Sequence, residues 1–346
     1  MNVVFRVDAS SRLGAGYLWR CLALADRLRA SGASCLFLLR ILEEEFGSLV
    51  EAHGHQQQEI PDPEPQWQHD LGADDLRSTF QAAKDFNADW LVVDNYWARD
   101  SYLETLSEGP WRVAVIDDLN DREMFGVSLV VNATVGSGEW DYPIGSDCRL
   151  LAGPQYALLR STFSQRRQEA LLQRQAEQEF RKVLICIGGA HSAEITEAII
   201  AQATGKLKDA QIRAVVGRGH QLANTDHLPA NVLFLSGQTE AQMADLMAWA
   251  DLAIATPSTV AWELACMVTP TIIVRTEDNQ TAFAKSLSQK YPLCLVCEEI
   301  AALSLQLRRT QSEDAGYRRK RNERWASLCD GLGAERVAAE MMKKAK

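Results

Sequence analysis

Residues able to do chemistry fall in a few short stretches of this chain. "LGAGYLWRCLALADRLRASG" (13–32) sets Gly14 and Gly16 ahead of Leu18, Cys21, Leu22, Ala25 and Leu28, the spacing of one buried helical stripe. Glycines let a ligand approach the backbone, and a helix start offers unpaired N–H groups at the positive end of its dipole, so the pattern suits an anion or a nucleotide. "ICIGGAHS" (185–192) repeats the idea with Gly188 and Gly189. It is neither GxGxxG nor a P-loop, and a plain β–α turn matches it equally well. In "ATPSTVAWELACMVTPTIIV" (255–274), Ser258 and Thr259 are placed to cap a helix that carries Glu263 one turn in. A carboxylate there can accept two ribose hydroxyls or merely stabilise the helix dipole. The amides Asn279 and Gln280 in "EDNQ" can read sugar hydroxyls or belong to a polar loop. Asp94 in "VDNY" and Asp117 and Asp118 in "IDDL" end apolar runs, where each is a base, a substrate ligand or a turn cap.

The elements that must position these groups alternate strand with helix. "VVFRVDAS", "CLFLLR", "DWLVVDNYW", "RVAVIDDLND" and "SLVVNATVG" form one set of apolar runs, and "VLICIGGAHS", "IRAVVGRGH", "NVLFLSG", "ADLAIAT" and "TPTIIVRT" form a second. Runs of this kind predict parallel sheets whose functional residues lie at the carboxyl ends of the strands. The division expected is an α/β half over 1–163, a charged connector over 164–182, a second α/β half over 183–317 and a helical tail over 318–346.

At 346 residues the chain exceeds the usual single core, and 47% hydrophobic with 24% charged residues describes an ordinary globular protein. A net charge of −10 argues against a nucleic-acid surface. No apolar run approaches ~20 residues and no signal-peptide pattern opens the chain, so no membrane span and a cytoplasmic location are expected. Eight scattered cysteines fit reduced thiols. The pair in "CLVC" (294–297) points to opposite faces of a strand and has no partners for a zinc site. "HGH" (53–55) beside "QQQ" reads as a solvated polar loop.

Nine motifs in order, "FRVDASSRLGAGYLWRCLALA", "VVDNYW", "VIDDLNDR", "YALLRSTF", "IGGAHS", "ADLMAWADLAI", "STVAWELA", "EDNQ" and "DGLGAERV", span nearly the whole chain. In them it resembles the UDP-sugar hydrolases of pseudaminic acid biosynthesis, which release UDP from a 2,4-diacetamido-2,4,6-trideoxy-altrose and are related in fold to the peptidoglycan glycosyltransferase. The resemblance implies a GT-B architecture: two Rossmann-like α/β domains facing a cleft, with the tail packing back on the first. It implies UDP in the second domain, with Gly188 and Gly189 beside the phosphates, Met243 to Leu246 beside the base, Ser258 and Thr259 at the diphosphate, Glu263 on the ribose, and Asn279 and Gln280 reaching the sugar. On the first domain Gly14, Gly16, Arg20, Tyr96 and Asp117 are expected to meet the substrate. No cofactor and no metal is implied, a monomer is expected, and water attacks the anomeric carbon with inversion.

The chain departs from that family at one chemically serious place. The family's first loop reads GxGH, and its histidine is the proposed base; here the residue is Tyr17. A phenol with an ordinary pKa of about 10 must be lowered by several units to serve, and the helix start pushes that way. Thr256-Pro257-Ser258 replaces a glycine-rich turn, so an N–H is lost at Pro257. His191, Asp8 and Asp94 are the other candidate catalytic groups, with His191 expected either as a substitute base or as an exposed loop histidine whose side chain meets the diphosphate. A glycosyltransferase using the same donor, or a non-catalytic nucleotide-sugar binder, are the alternatives to hydrolysis.

Overall fold

The computed structural model describes residues 1–10, 13–40, 44–60, 70–173, 180–188, 193–216 and 229–343. The chain divides into two compact units, Met1–Leu158 with Gly333–Lys346, and Leu159–Leu332.

The first unit is built on a sheet of seven parallel strands: β1 (Asn2–Val7), β2 (Ser34–Leu39), β3 (Gln56–Glu59), β4 (Trp90–Asp94), β5 (Arg112–Ile116), β6 (Leu129–Asn132) and β7 (Arg149–Ala152). Their spatial order is β3-β2-β1-β4-β5-β6-β7. The central strands are buried on both faces, which is why β1 and β4 are near-continuous apolar runs instead of alternating ones. One face packs Val3, Phe5 and Val92 against helix α1 (Gly16–Ala30), and the other packs Val4, Leu91 and Val113. Helices α2 (Glu44–Ala52), α3 (Ala73–Asp85) and α4 (Asp100–Ser107) complete the alternation.

The second unit repeats the plan with six parallel strands, β8 (Lys182–Cys186), β9 (Gln211–Val216), β10 (Val232–Ser236), β11 (Leu252–Ala255), β12 (Thr271–Val274) and β13 (Leu295–Cys297). Their order is β10-β9-β8-β11-β12-β13. Its helices are α5 (Ser161–Gln173), α6 (Ala193–Lys206), α7 (Glu240–Trp249), α8 (Thr259–Cys266), α9 (Thr281–Lys290), α10 (Leu303–Ser312) and α11 (Ala315–Ala326). The stretch read as a connector begins as α5, which belongs to this unit. Its Arg167 donates to the carbonyls of Ala265, Cys266 and Ala326, satisfying the ends of α8 and α11. Helix α11, read as part of the returning tail, likewise lies in the second unit, and only the segment from Gly333 onward joins the first.

That returning segment is helix α12 (Gly333–Met341). It packs Ala334, Val337, Ala338 and Met341 into the core beside α1. Arg27 pairs with Glu335 at 2.5 Å, and the indole N–H of Trp90 donates to the carbonyl of Met341 at 3.0 Å. Gly333 makes the approach possible, because a Cβ there would stand 2.1 Å from the carbonyl oxygen of Ala157. Gly333→Ala is therefore expected to destabilise the first unit by roughly 1–3 kcal/mol, the usual cost of overpacking, read as a lower denaturant midpoint. An unchanged midpoint would show that the backbone yields at no cost.

Candidate functional site

In an open parallel sheet, ligands gather outside the carboxyl ends of the strands where the strand order reverses. That point lies between β1 and β4 in the first sheet and between β8 and β11 in the second. Both glycine loops of the sequence leave from these points, after β1 and after β8.

In the first unit, Gly14 has a φ of +79° and donates its N–H to the carbonyl of Ser10 at 2.8 Å, turning the chain into α1. Gly16 opens that helix, and Ala15 before it supplies no side-chain cap. One turn on, Arg20 clamps Asp94 through two hydrogen bonds of 2.6 Å and donates to Asp118 Oδ2 at 2.8 Å. Tyr96 donates its hydroxyl to the same oxygen at 2.6 Å. The Tyr17 ring stands edge-on to Tyr96 with centroids 5.3 Å apart, and the Arg20 guanidinium lies 5.1 Å from its centre. Tyr17, Arg20, Tyr96, Asp94 and Asp118 thus form one cluster.

The electrostatics correct one expectation. Burial pushes the Tyr17 phenol up to about 12; Arg20 pulls it down, but Asp118 and Asp94 push the same way as burial. The helix start does not overcome them. Burial also pushes the Asp94 and Asp117 carboxyls above the usual range, against the pull of Arg20 and Arg122 respectively.

Asp8 lies apart from that cluster, in a buried network. Arg6, 0% exposed, donates to Asp8 (2.6 and 3.1 Å) and to Asp75 (2.6 and 3.1 Å). Asn95 and the Arg40 backbone N–H also donate to Asp8. Asp117 accepts from the Asn120 N–H at 2.9 Å and faces Arg122 at 3.6 Å, a turn-holding arrangement. The "HGH" stretch is not a solvated loop. His53 Nδ1 and His55 Nε2 flank the two oxygens of Asp26 on α1 at 2.8 and 2.9 Å, and the following "QQQE" is edge strand β3.

In the second unit, Gly188 has a φ of +88° just beyond β8. Gly189 and His191 lie outside the described residues. Thr256, after β11, donates to the carbonyl of Ile187 at 3.2 Å and so ties the two strand ends of the switch point together. Ser258 occupies the N-cap position of α8 without a side-chain cap; its hydroxyl lies 3.2 Å from that of Thr256 instead. Thr259, half-buried, opens the helix. Glu263 is 6% exposed, and its Oε1 accepts from Arg160 Nη2 at 2.7 Å. Burial pushes this carboxyl up, and Arg160 opposes the shift. Among the described residues, Glu263 Oε2 takes no hydrogen bond.

Met243 and Leu246 are buried on α7. Asn279 is exposed, whereas Gln280 is buried, its carbonyl oxygen accepting from Thr276 N–H at 2.9 Å and from Glu277 N–H at 3.3 Å. Only its amide nitrogen remains for a ligand. Arg160 and the Arg6–Asp75 pair went unread in sequence. The arginine in "YALLRSTF" was the one signal, and the partners lie 103 and 69 positions away. Among the described residues, no group of three or more His, Cys, Asp or Glu is arranged to hold a metal ion, and no helix is long and apolar enough to cross a membrane.

Two parallel α/β units of this kind define a GT-B fold, and solved structures of that class match it over nearly the whole chain. MurG of Acinetobacter baumannii aligns with a TM-score of 0.65 at 15% identity, covering 99% of this chain and 100% of the other. The spinosyn rhamnosyltransferase SpnG complexed with thymidine diphosphate gives 0.66 at 15% identity over 98% and 99%.

No protein-family model matches the chain. Among curated relatives it is similar to the spore coat polysaccharide biosynthesis protein SpsG of Bacillus subtilis, 24% identical over 84% of this chain and 82% of the relative. It is also similar to the UDP-2,4-diacetamido-2,4,6-trideoxy-beta-L-altropyranose hydrolase of Campylobacter jejuni, 28% identical over 55% and 61%. An uncharacterized protein of Methanocaldococcus jannaschii is 22% identical over 81% of this chain, which spans 57% of that relative's length.

Proposed function

We propose that this chain acts on a nucleotide-activated sugar, binding UDP through its second unit and releasing the sugar to water. The observation that carries the reading is Glu263: a carboxylate one turn into the helix after the switch-point strand, braced by Arg160 through one oxygen, with the other open to a pair of ribose hydroxyls. Gly188, Ser258 and Thr259 are the proposed diphosphate contacts, with Gly189 beside Gly188. Met243 and Leu246 are proposed to back the base, and Asn279 with the Gln280 amide nitrogen to face the sugar. The name of the Campylobacter relative supports a 2,4-diacetamido-2,4,6-trideoxy sugar as the group released. The glycosyltransferases among the fold neighbours favour a second reading, in which the same donor is transferred to an acceptor hydroxyl.

Following UDP release from UDP-sugars, with and without candidate acceptors, separates the two. Release without acceptor supports hydrolysis, release only with acceptor supports transfer, and none under either condition overturns both. The rate should also show no tenfold climb per pH unit between pH 7 and 10, because a phenol pushed to about 12 is ionised in only about one molecule in 10⁵ at pH 7. A climb that Tyr17→Phe abolishes would make the phenolate the base.

A further inference from the structure

We propose that Asp118 is the catalytic residue that accepts the proton of the attacking water, an inference that rests on the hydrolytic reading above. A base needs a lone pair that substrate can reach, and the other carboxylates at these strand ends are either hydrogen-bonded on both oxygens or fully buried. Asp8 accepts on both oxygens, from Arg6, Asn95 and the Arg40 N–H. Both Asp94 oxygens are taken by Arg20, with the Cys21 thiol 3.4 Å away as a further donor. Asp117 spends Oδ2 on Asn120 and Asn132; its Oδ1 takes no hydrogen bond among the described residues, but it faces Arg122 at 3.6 Å and the residue is 0% exposed, so that oxygen is sealed from substrate.

Asp118 differs on each count. Its side chain is 25% exposed. Arg20 and Tyr96 both donate to Oδ2, at 2.8 and 2.6 Å, and among the described residues Oδ1 takes no hydrogen bond. Two donors on one oxygen fix the plane of the carboxylate and leave the other oxygen without a hydrogen bond among the described residues. Arg20 and Tyr96 are then positioning residues, and Arg20 is itself held by Asp94.

The step balances without a further reactant. The water oxygen bonds to the anomeric carbon, the bond from that carbon to the diphosphate oxygen breaks with its electron pair leaving on UDP, and the water proton passes to Asp118 Oδ1 and then to solvent. In an acceptor-dependent reaction the same oxygen would take a hydroxyl proton. Among the described residues, the charged and titratable groups around Asp118 are Arg20 and Tyr17 on α1, Asp94 and Tyr96 at and just beyond the end of β4, Asp117 beside it on the chain, and Tyr142.

The test uses the full chain with a UDP-linked 2,4-diacetamido-2,4,6-trideoxyhexose. Asp118→Asn should lower turnover by roughly 10²–10⁴-fold, the usual loss of general-base help, and leave UDP affinity by calorimetry within twofold. The acid limb of the wild-type rate profile should vanish from the residual rate, and added formate should partly restore Asp118→Ala. A purely structural role would give neither result. If the asparagine variant does not fold, Asp118→Ser carries the same readouts. Turnover within threefold of wild type, or a folded alanine variant that keeps the acid limb and ignores formate, overturns the assignment of Asp118 alone. A wild type that binds UDP but releases none from the sugar overturns the hydrolytic reading and this inference together.

Discussion

Arg6→Met is expected to destabilise the first unit by about 3–5 kcal/mol, the range for breaking a buried ion pair from one side. Arg6 is 0% exposed and its guanidinium is shared between Asp8 and Asp75. Methionine fills much of the volume but leaves two buried carboxylates short of a cation. Urea unfolding followed by a probe in the first unit reads the effect. Arg6→Met with Asp75→Leu should cost clearly less than the two single changes added, since the double variant leaves one buried carboxylate, Asp8, short of that cation instead of two. Simple additivity would show that the pair is not coupled.

The pH dependence of that cost has a definite sign. Burial pushes the Asp75 carboxyl up, but Arg6 and the Tyr102 hydroxyl outweigh it and hold it below the usual range. A lowered carboxyl adds stability that is present above its unfolded pKa of about 4 and is lost as pH falls through the folded value. The gap between wild type and Arg6→Met should therefore narrow on acidification below about pH 4. A gap that widens there would assign the stabilisation to another group.

The second large effect is on ligand binding. Glu263→Ala should weaken UDP about 10–150-fold, the equivalent of ~1.5–3 kcal/mol for hydrogen bonds to a charged partner. Isothermal calorimetry in chelator measures it, and unchanged affinity would remove the ribose contact from the proposal. Arg160→Met probes the same carboxylate through its brace. Burial already pushes Glu263 up and Arg160 opposes it, so without the guanidinium the carboxyl rises further and the pH at which UDP affinity is gained should move upward relative to wild type. A flat profile would mean that Glu263 binds in its protonated form or does not bind.

Most of the sheet framework was legible because β1, β4, β8 and β11 are buried on both faces, and such strands are written as unbroken apolar runs. The edges were not. Strand β3 is "QQQE", held by backbone pairing to β2, so its side chains carry no apolar signal. Glycine loops and strand-end aspartates were readable as local chemistry. Which aspartate keeps an oxygen both free and exposed was not, because Asp94 and Asp118 are distinguished by Arg20, 74 and 98 positions away, and Asp117 by burial. The same distance hid Arg160 behind Glu263. The Tyr17 shift escaped for a related reason: the local helix start was visible, but the burial and the two carboxylates that outweigh it arise only on folding.

Helix α12 makes the first unit discontinuous, and that has a consequence for how the polypeptide matures on the ribosome. The core around α1 lacks Ala334, Val337, Ala338 and Met341 until synthesis has passed them, and the whole of Leu159–Leu332 is made in between. At about 5–20 residues per second that interval is roughly 10–35 s, and at its end the second unit has its entire sequence in hand while the first still lacks the apolar residues that cover α1. The usual order of vectorial folding is thereby inverted, with the unit translated first being the last to close.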